Sequence, residues 1–154
     1  MSHPERITAN DHRLHAVHRL ITDAFAYMDG LIDPPSSITR FDIAAARHHA
    51  TKGELIVIGT LPVAAMVMQE MQNTLYLGKI AVAEEARGRG YAKQLITYAA
   101  EHARALGLPN LTLQSRIELR ANHAAFAAMG FVESGRTAHA GFDKPTSITF
   151  TRTL

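Results

Sequence analysis

Apolar residues recur along this chain in two rhythms, and the switches between them divide it into elements. Leu14, Val17, Ile21, Ala24, Phe25 and Met28 fall at helical spacing, which predicts a first helix from about Asp11 to Met28. Asn10 or Asp11 can cap its start. "DGLIDPPSS" breaks the rhythm, because Pro34 forbids a helix and pushes Asp33 toward extended backbone. A short helix capped by Asp42 follows, to about His49. Then "ELIVIG", "PVAAMVMQEM" and "LYLGKIAV" read as strands joined by "GTLP" and "QNT". Connections this short make antiparallel hairpins.

From Gly90 to Leu106 the period turns helical again. Ala92, Leu95, Ile96, Ala99, Ala103 and Leu106 share a stripe, while Lys93, Glu101 and Arg104 lie off it. Gly107 ends the helix and Pro109 keeps it ended. "NLTLQS" is a short strand, so Leu75 to Ser115 reads as a strand–helix–strand crossover between parallel partners. A last helix around Asn122 to Met129 stops at Gly130, and "GFVES" and "SITFTRTL" finish as strands. The expected class is α+β, a mixed sheet with helices on its faces, in one domain over residues 1–154.

Composition narrows the chemistry. Charged residues make up 19% of the chain and hydrophobic ones 47%, as in an ordinary globular protein. No apolar run approaches the ~20 residues that span a bilayer, and "MSHPERITANDHRLH" lacks the apolar core of a secretory signal. Cysteine is absent, which removes disulfide and thiolate chemistry and fits a cytoplasmic enzyme. A net charge of +2 is no nucleic-acid footprint; the pI of 9.2 alone suggests one, and no basic helix face supports it.

The turn "ARGRGYA" is the most informative stretch. It follows the strand ending at Val82 and opens the alanine-rich helix, where unpaired N–H groups and the positive dipole end are presented. Gly88 and Gly90 let an anion approach the backbone, and Arg87 and Arg89 add forked donors. A P-loop needs Lys-Ser or Lys-Thr after its last glycine, but Tyr91-Ala92-Lys93-Gln94 stands here. A dinucleotide fingerprint needs three spaced glycines and a later acidic residue, and that fails too.

"IAVAEEARGRGYAKQLI" resembles the coenzyme A signature of the GNAT N-acetyltransferases: Arg87, two residues, Gly90, one residue, Ala92. "NHAAFAAMGFVESG" looks like that family's late asparagine helix and Gly-Phe strand start, and the preceding hairpins keep its order. The resemblance implies a three-layer α/β/α-like fold. Its sheet would be mixed and mostly antiparallel, with a splayed parallel pair and helices on both faces. It implies acetyl-CoA as co-substrate, no metal, and a primary amine of a small molecule or peptide as acceptor. The N–H groups of Arg87, Gly88, Arg89, Gly90, Tyr91 and Ala92 would hold the pyrophosphate. Ile80, Ala81 and Val82 would pair with the pantetheine arm, and a strand N–H would polarise the thioester carbonyl. Asn122 matches the asparagine that meets the pantetheine or an ordered water.

One position departs from the family. Phe126 stands where many members carry the tyrosine that protonates the departing thiolate. Phe126 can pack on the cofactor but has no proton to give. Ser115, His123 or water would have to substitute. That departure keeps a second reading open, a non-catalytic acetyl-CoA sensor or regulatory module.

Other residues invite chemistry less strongly. His12, His15 and His18 step along one helix flank without supporting ligands, and His48 and His49 suit a helix end. Met66, Met68 and Met71 alternate as sheet residues do. Tyr27 and Asp29 fall in "AYMDGLIDPPSS", which in the family borders the acceptor site. Glu70 and Glu118 are further candidates for a base acting through water. No membrane contact is expected, and exposed edge strands at the C-terminus leave room for a homodimer.

Overall fold

The computed structural model describes residues 3–154. A seven-stranded sheet runs through it in the order β1-β2-β3-β4-β5-β7-β6. Its strands are β1 (Pro4–Arg6), β2 (Leu55–Ile58), β3 (Ala64–Met71), β4 (Thr74–Val82), β5 (Asn110–Arg116), β6 (Val132–Thr137) and β7 (Ser147–Thr153). Every neighbouring pair is antiparallel except β4 and β5, which are parallel. The helices are α1 (Leu14–Phe25), α2 (Ile43–Thr51), α3 (Tyr91–Ala105) and α4 (Arg120–Ala128). No helix among the described residues is long and apolar enough to cross a membrane.

Alternation along the strands feeds two cores. Leu55 and Val57 of β2, with Ala65 and Val67 of β3, pack against Leu14, Val17 and Ile21 of α1 and Ala46 and Ala50 of α2. Ile56 and Ile58, with Ala64, Met66 and Met68, face the opposite way, toward Leu95, Ile96 and Ala99 of α3. Helices therefore cover both faces of the sheet. Met66 and Met68 are core residues, while Met71 at the strand end is exposed.

"LYLGKIAV" lies within β4, as the sequence predicts, and a bulge interrupts its pairing with β3. Ala65 pairs with Ala81 but Val67 pairs with Gly78, so β4 carries one extra residue there. The parity of β4 flips as a result. Leu75 and Leu77 belong to the core under α3, whereas Ala81, also odd-numbered, belongs to the core under α1. Lys79 takes the left-handed backbone at the bulge, with φ 51°.

The N-terminus differs in detail from its expected form. Strand β1 pairs with Arg6 opposite Ile56, and its sequence Pro-Glu-Arg gives no apolar alternation to reveal it. Asp11 does not cap α1, which starts three residues later with no side-chain cap. Asp11 Oδ1 instead accepts from the N–H and Nε of Arg13, at 2.9 and 3.0 Å, and Arg13 Nη1 also donates to Glu5. The guanidinium holds the Asp11 carboxyl down at about 2, with burial working against it. A depressed carboxyl stabilises the fold above its unfolded value of 3.8 and loses that contribution as pH falls toward 2. Asp11→Asn should therefore cost about 1 kcal/mol at pH 7 and nothing near pH 2, read from urea unfolding at both pH values. Asp42, in contrast, caps α2 as expected, accepting from the N–H of Ala45 at 2.8 Å.

Candidate active site

The parallel pair opens like a fork. Only Leu75 to Leu77 of β4 pair with Leu111 to Leu113 of β5. Beyond that point Gly78–Val82 keeps β3 on one side and, among the described residues, has no strand partner on the other. Residues Gln114–Arg116 separate from it while staying paired to β7. A cavity of about 360 Å³ fills the fork. Gly78, Lys79 and Ile80 line one side and Gln114, Ser115 and Arg116 the other. The bulge places this opening, because it turns β4 away where β5 would otherwise continue beside it.

The segment between α1 and α2 closes over the cavity, and three hydrogen bonds tie it down. Arg116 Nη2 donates to the Pro35 carbonyl at 3.0 Å, Lys79 Nζ to Ser37 Oγ at 3.2 Å, and the Asp33 N–H to Glu118 Oε2 at 3.1 Å. Glu118 is thus a tether, and Glu70 sits exposed at the end of β3 away from the cavity lining. Burial, and then the charge of Arg40, pull the Lys79 ammonium below its ordinary value.

At the floor, Ser115 is 7% exposed, and its Oγ is buried without a hydrogen-bond partner. Arg116 Nη1 is orphaned in the same way. Phe126 of α4 lines the cavity and packs edge-on against Phe131 and beside Phe150, at 6.1 and 6.0 Å. Asn122, one turn earlier, donates from Nδ2 to the Tyr27 hydroxyl at 3.2 Å. That contact joins residues 95 apart in sequence, and no local pattern announces it. His123 lies outside the lining; its Nε2 donates to the Arg116 carbonyl at 2.9 Å, so its other nitrogen is the free acceptor. Asp29 is exposed and also outside the lining.

Arg87–Gly90 forms a separate, exposed turn ahead of α3. Gly88 and Gly90 both have positive φ, 78° and 82°, and a Cβ built on either meets nothing within 4 Å. The Arg87 N–H is used by the Glu84 carbonyl at 3.3 Å. No carbonyl or side chain among the described residues accepts from the N–H groups of Gly88, Arg89, Gly90, Tyr91, Ala92 or Lys93. A run of free donors at the positive end of a 15-residue helix, with open space before it, fits a diphosphate.

His12, His15 and His18 do not converge on a common point. His12 is open to solvent, and His18 Nε2 donates to the Phe41 carbonyl at 2.7 Å. No three histidine, aspartate or glutamate side chains among the described residues group as metal ligands would. His49 lines the cavity, with its Nδ1 on Glu54 Oε1 at 2.8 Å.

The pattern of the acetyltransferase (GNAT) family matches residues 14–131, and the chain belongs to that family. No curated protein matches by sequence. Among solved structures, the fold is similar to the PaiA N-acetyltransferase from Thermoplasma acidophilum in complex with coenzyme A. That match has a TM-score of 0.84 at 9% identity, over 100% of this chain and 99% of the other. The Escherichia coli ribosomal-protein-S18-alanine N-acetyltransferase matches with a TM-score of 0.72 at 19% identity, over 99% and 94% of the two chains. A chain of the NatC complex bound to Gag peptide and coenzyme A matches with a TM-score of 0.72 at 17% identity, over 99% and 98%. At these identities the likeness is one of fold.

Proposed function

We propose that this protein transfers an acetyl group from acetyl-CoA to a primary amine by direct attack in a ternary complex. The observation that carries the reading is the run of unclaimed N–H groups from Gly88 to Lys93, beside the unpaired edge of β4. Acetyl-CoA, when bound, supplies an activated acyl group with a weakly basic thiolate as leaving group. The N–H groups of Gly88, Arg89, Gly90, Tyr91 and Ala92 hold its diphosphate, and the Arg87 and Arg89 side chains add charge. The free edge of Ile80, Ala81 and Val82 takes the pantetheine arm as an added strand. Asn122 and Phe126 wall the arm from the α4 side.

The acceptor ammonium first loses a proton to solvent. Its nitrogen then bonds to the thioester carbon, the carbon–sulfur bond breaks, the nitrogen gives up a second proton to become the neutral amide, and the thiolate takes up one proton in exchange. Holding both reactants in the fork supplies about 7–11 kcal/mol of the barrier through proximity. For the thiolate proton, Ser115 suits the geometry better than His123. Ser115 is a lining residue whose buried hydroxyl has no partner, while the His123 Nε2 proton is committed to a carbonyl.

Two measurements test the reading. Calorimetry with coenzyme A should show saturable heat, and acetyl-CoA should release thiol when an amine is added. Absence of heat overturns it. Tight binding without turnover on any amine favours the sensor reading, for which Phe126 is the specific argument. Ser115→Ala should lower kcat at least about tenfold with KM for acetyl-CoA unchanged. The same change removes an orphaned buried hydroxyl, so the melting temperature should hold or rise.

A further inference from the structure

The charges of the cavity are one-sided. Arg40, Lys79 and Arg116 line it, and no aspartate or glutamate does. Its remaining titratable lining is neutral or already engaged. His49 is paired with Glu54 outside the lining, His139 Nδ1 is hydrogen-bonded to the Thr146 hydroxyl, and Tyr76 is held neutral by burial. None of residues 87–92 lines this space, so its cations are not part of the diphosphate cradle.

These cations are also poorly compensated. Arg116 has a buried Nη1 with no acceptor, and Ser115 beside it has an orphaned hydroxyl. Lys79 finds only the Ser37 hydroxyl and the face of Phe41, 5.7 Å from its Nζ. It occupies a left-handed backbone position, costly for a lysine, at the bulge that opens the fork. Arg40 is exposed and Lys79 and Arg116 are partly buried, and like charges held this close without an anion repel one another until a ligand brings the missing negative charge. Both the acceptor and the acyl end of the co-substrate must share about 360 Å³ under the 35–40 segment, which suits a small molecule.

We propose that the acceptor is a small amine carrying its own carboxylate or phosphate, and that Arg40, Lys79 and Arg116 bind that anionic group. The inference rests on the acetyltransferase reading for the amine, but the anion site stands on its own residues. Polyamines and other purely cationic amines are disfavoured by the same charges.

Matched pairs test it on the wild-type protein: β-alanine against β-alaninamide, O-phosphoethanolamine against ethanolamine, and spermidine as the cationic probe. Binding is measured by calorimetry with and without saturating coenzyme A, and turnover by thiol release. In at least one pair the anionic member should bind, or turn over by kcat/KM, at least about tenfold better than its neutral twin. Which pair responds separates carboxylate from phosphate. Arg40→Gln with Lys79→Asn should cut the preference at least about threefold, Arg116 remaining, while coenzyme A binding stays within about twofold; asparagine tolerates the left-handed backbone. Equal binding of both twins, preferred turnover of spermidine, no binding of either anionic amine, or a preference undiminished in the double variant overturns the proposal. Failure of coenzyme A to bind strikes the cofactor reading instead, and the titrations without it still decide the anion site.

Discussion

Gly90→Val should weaken coenzyme A binding at least about 100-fold, the cost of losing charge-assisted hydrogen bonds to a phosphate. Gly90 sits at φ 82° and ψ 13°, immediately before α3. Apart from its immediate chain neighbours, no described atom comes within 4 Å of a Cβ added there, so the first carbon of the new side chain enters open space. It meets the space in front of the free N–H groups, where the diphosphate is proposed to lie. A β-branched residue also strains the left-handed backbone, by about 1–2 kcal/mol. Relief of that strain would turn the N–H groups of Tyr91 and Ala92 away from their common focus. Gly107 provides the matched control. It has φ 75° and equally open surroundings at the other end of the same helix. Gly107→Val should lower the melting temperature by a similar amount and leave coenzyme A binding unchanged. Equal losses of affinity in the two variants would mean that helix stability, and not the cradle, governs binding.

The contrast between these glycines shows what local sequence conveys. Both are punctuation marks in the helical rhythm, and the chemistry proposed for "ARGRGYA" is legible locally because every candidate donor comes from six consecutive residues. The strands β2 to β5 and the helix α3 were equally open to inspection, since their apolar alternation repeats over many positions. The bulge was not, because one extra residue in "LYLGKIAV" leaves a run that still looks apolar. Parity in the partner strand reveals it, and pairing is not a local property. The order β5-β7-β6 is of the same kind: β7 brings the buried Ile148 and Phe150 to the interior, while β6 is exposed almost throughout as an edge. The cavity cations were hidden for a further reason. Arg40, Lys79 and Arg116 come from the α1–α2 segment, β4 and β5, and each alone resembles an ordinary surface charge. The Asn122–Tyr27 contact is half legible, since each residue stands in a stretch of suggestive sequence, but only the folded chain joins them.

Leu95→Ala should destabilise the protein by about 3 kcal/mol, within the range for removing a fully buried leucine. Leu95 has 0% exposure and lies one turn into α3, in the core with Ile56, Met66, Leu77 and Leu111. On α3 the residues a turn or more beyond it are small: Ala99, Ala100 and Ala103 are all buried, with Ile96 the one large buried neighbour. Alanines bring the helix close to the sheet, and they have no side chain able to swing into a vacated space. The cavity should therefore stay largely open, which places the cost above the lower end of the range. A consequence for the site separates this loss from a merely global one. Leu95 anchors the turn whose free N–H groups are proposed to form the cradle, whereas Val17 is equally buried under α1 in the opposite core. Urea unfolding should show both Leu95→Ala and Val17→Ala destabilised, with Leu95→Ala losing the larger amount. At temperatures where both remain folded, coenzyme A affinity should fall several-fold for Leu95→Ala and stay level for Val17→Ala. Unchanged affinity in a folded Leu95→Ala protein would show that the turn holds its shape without the core beneath it.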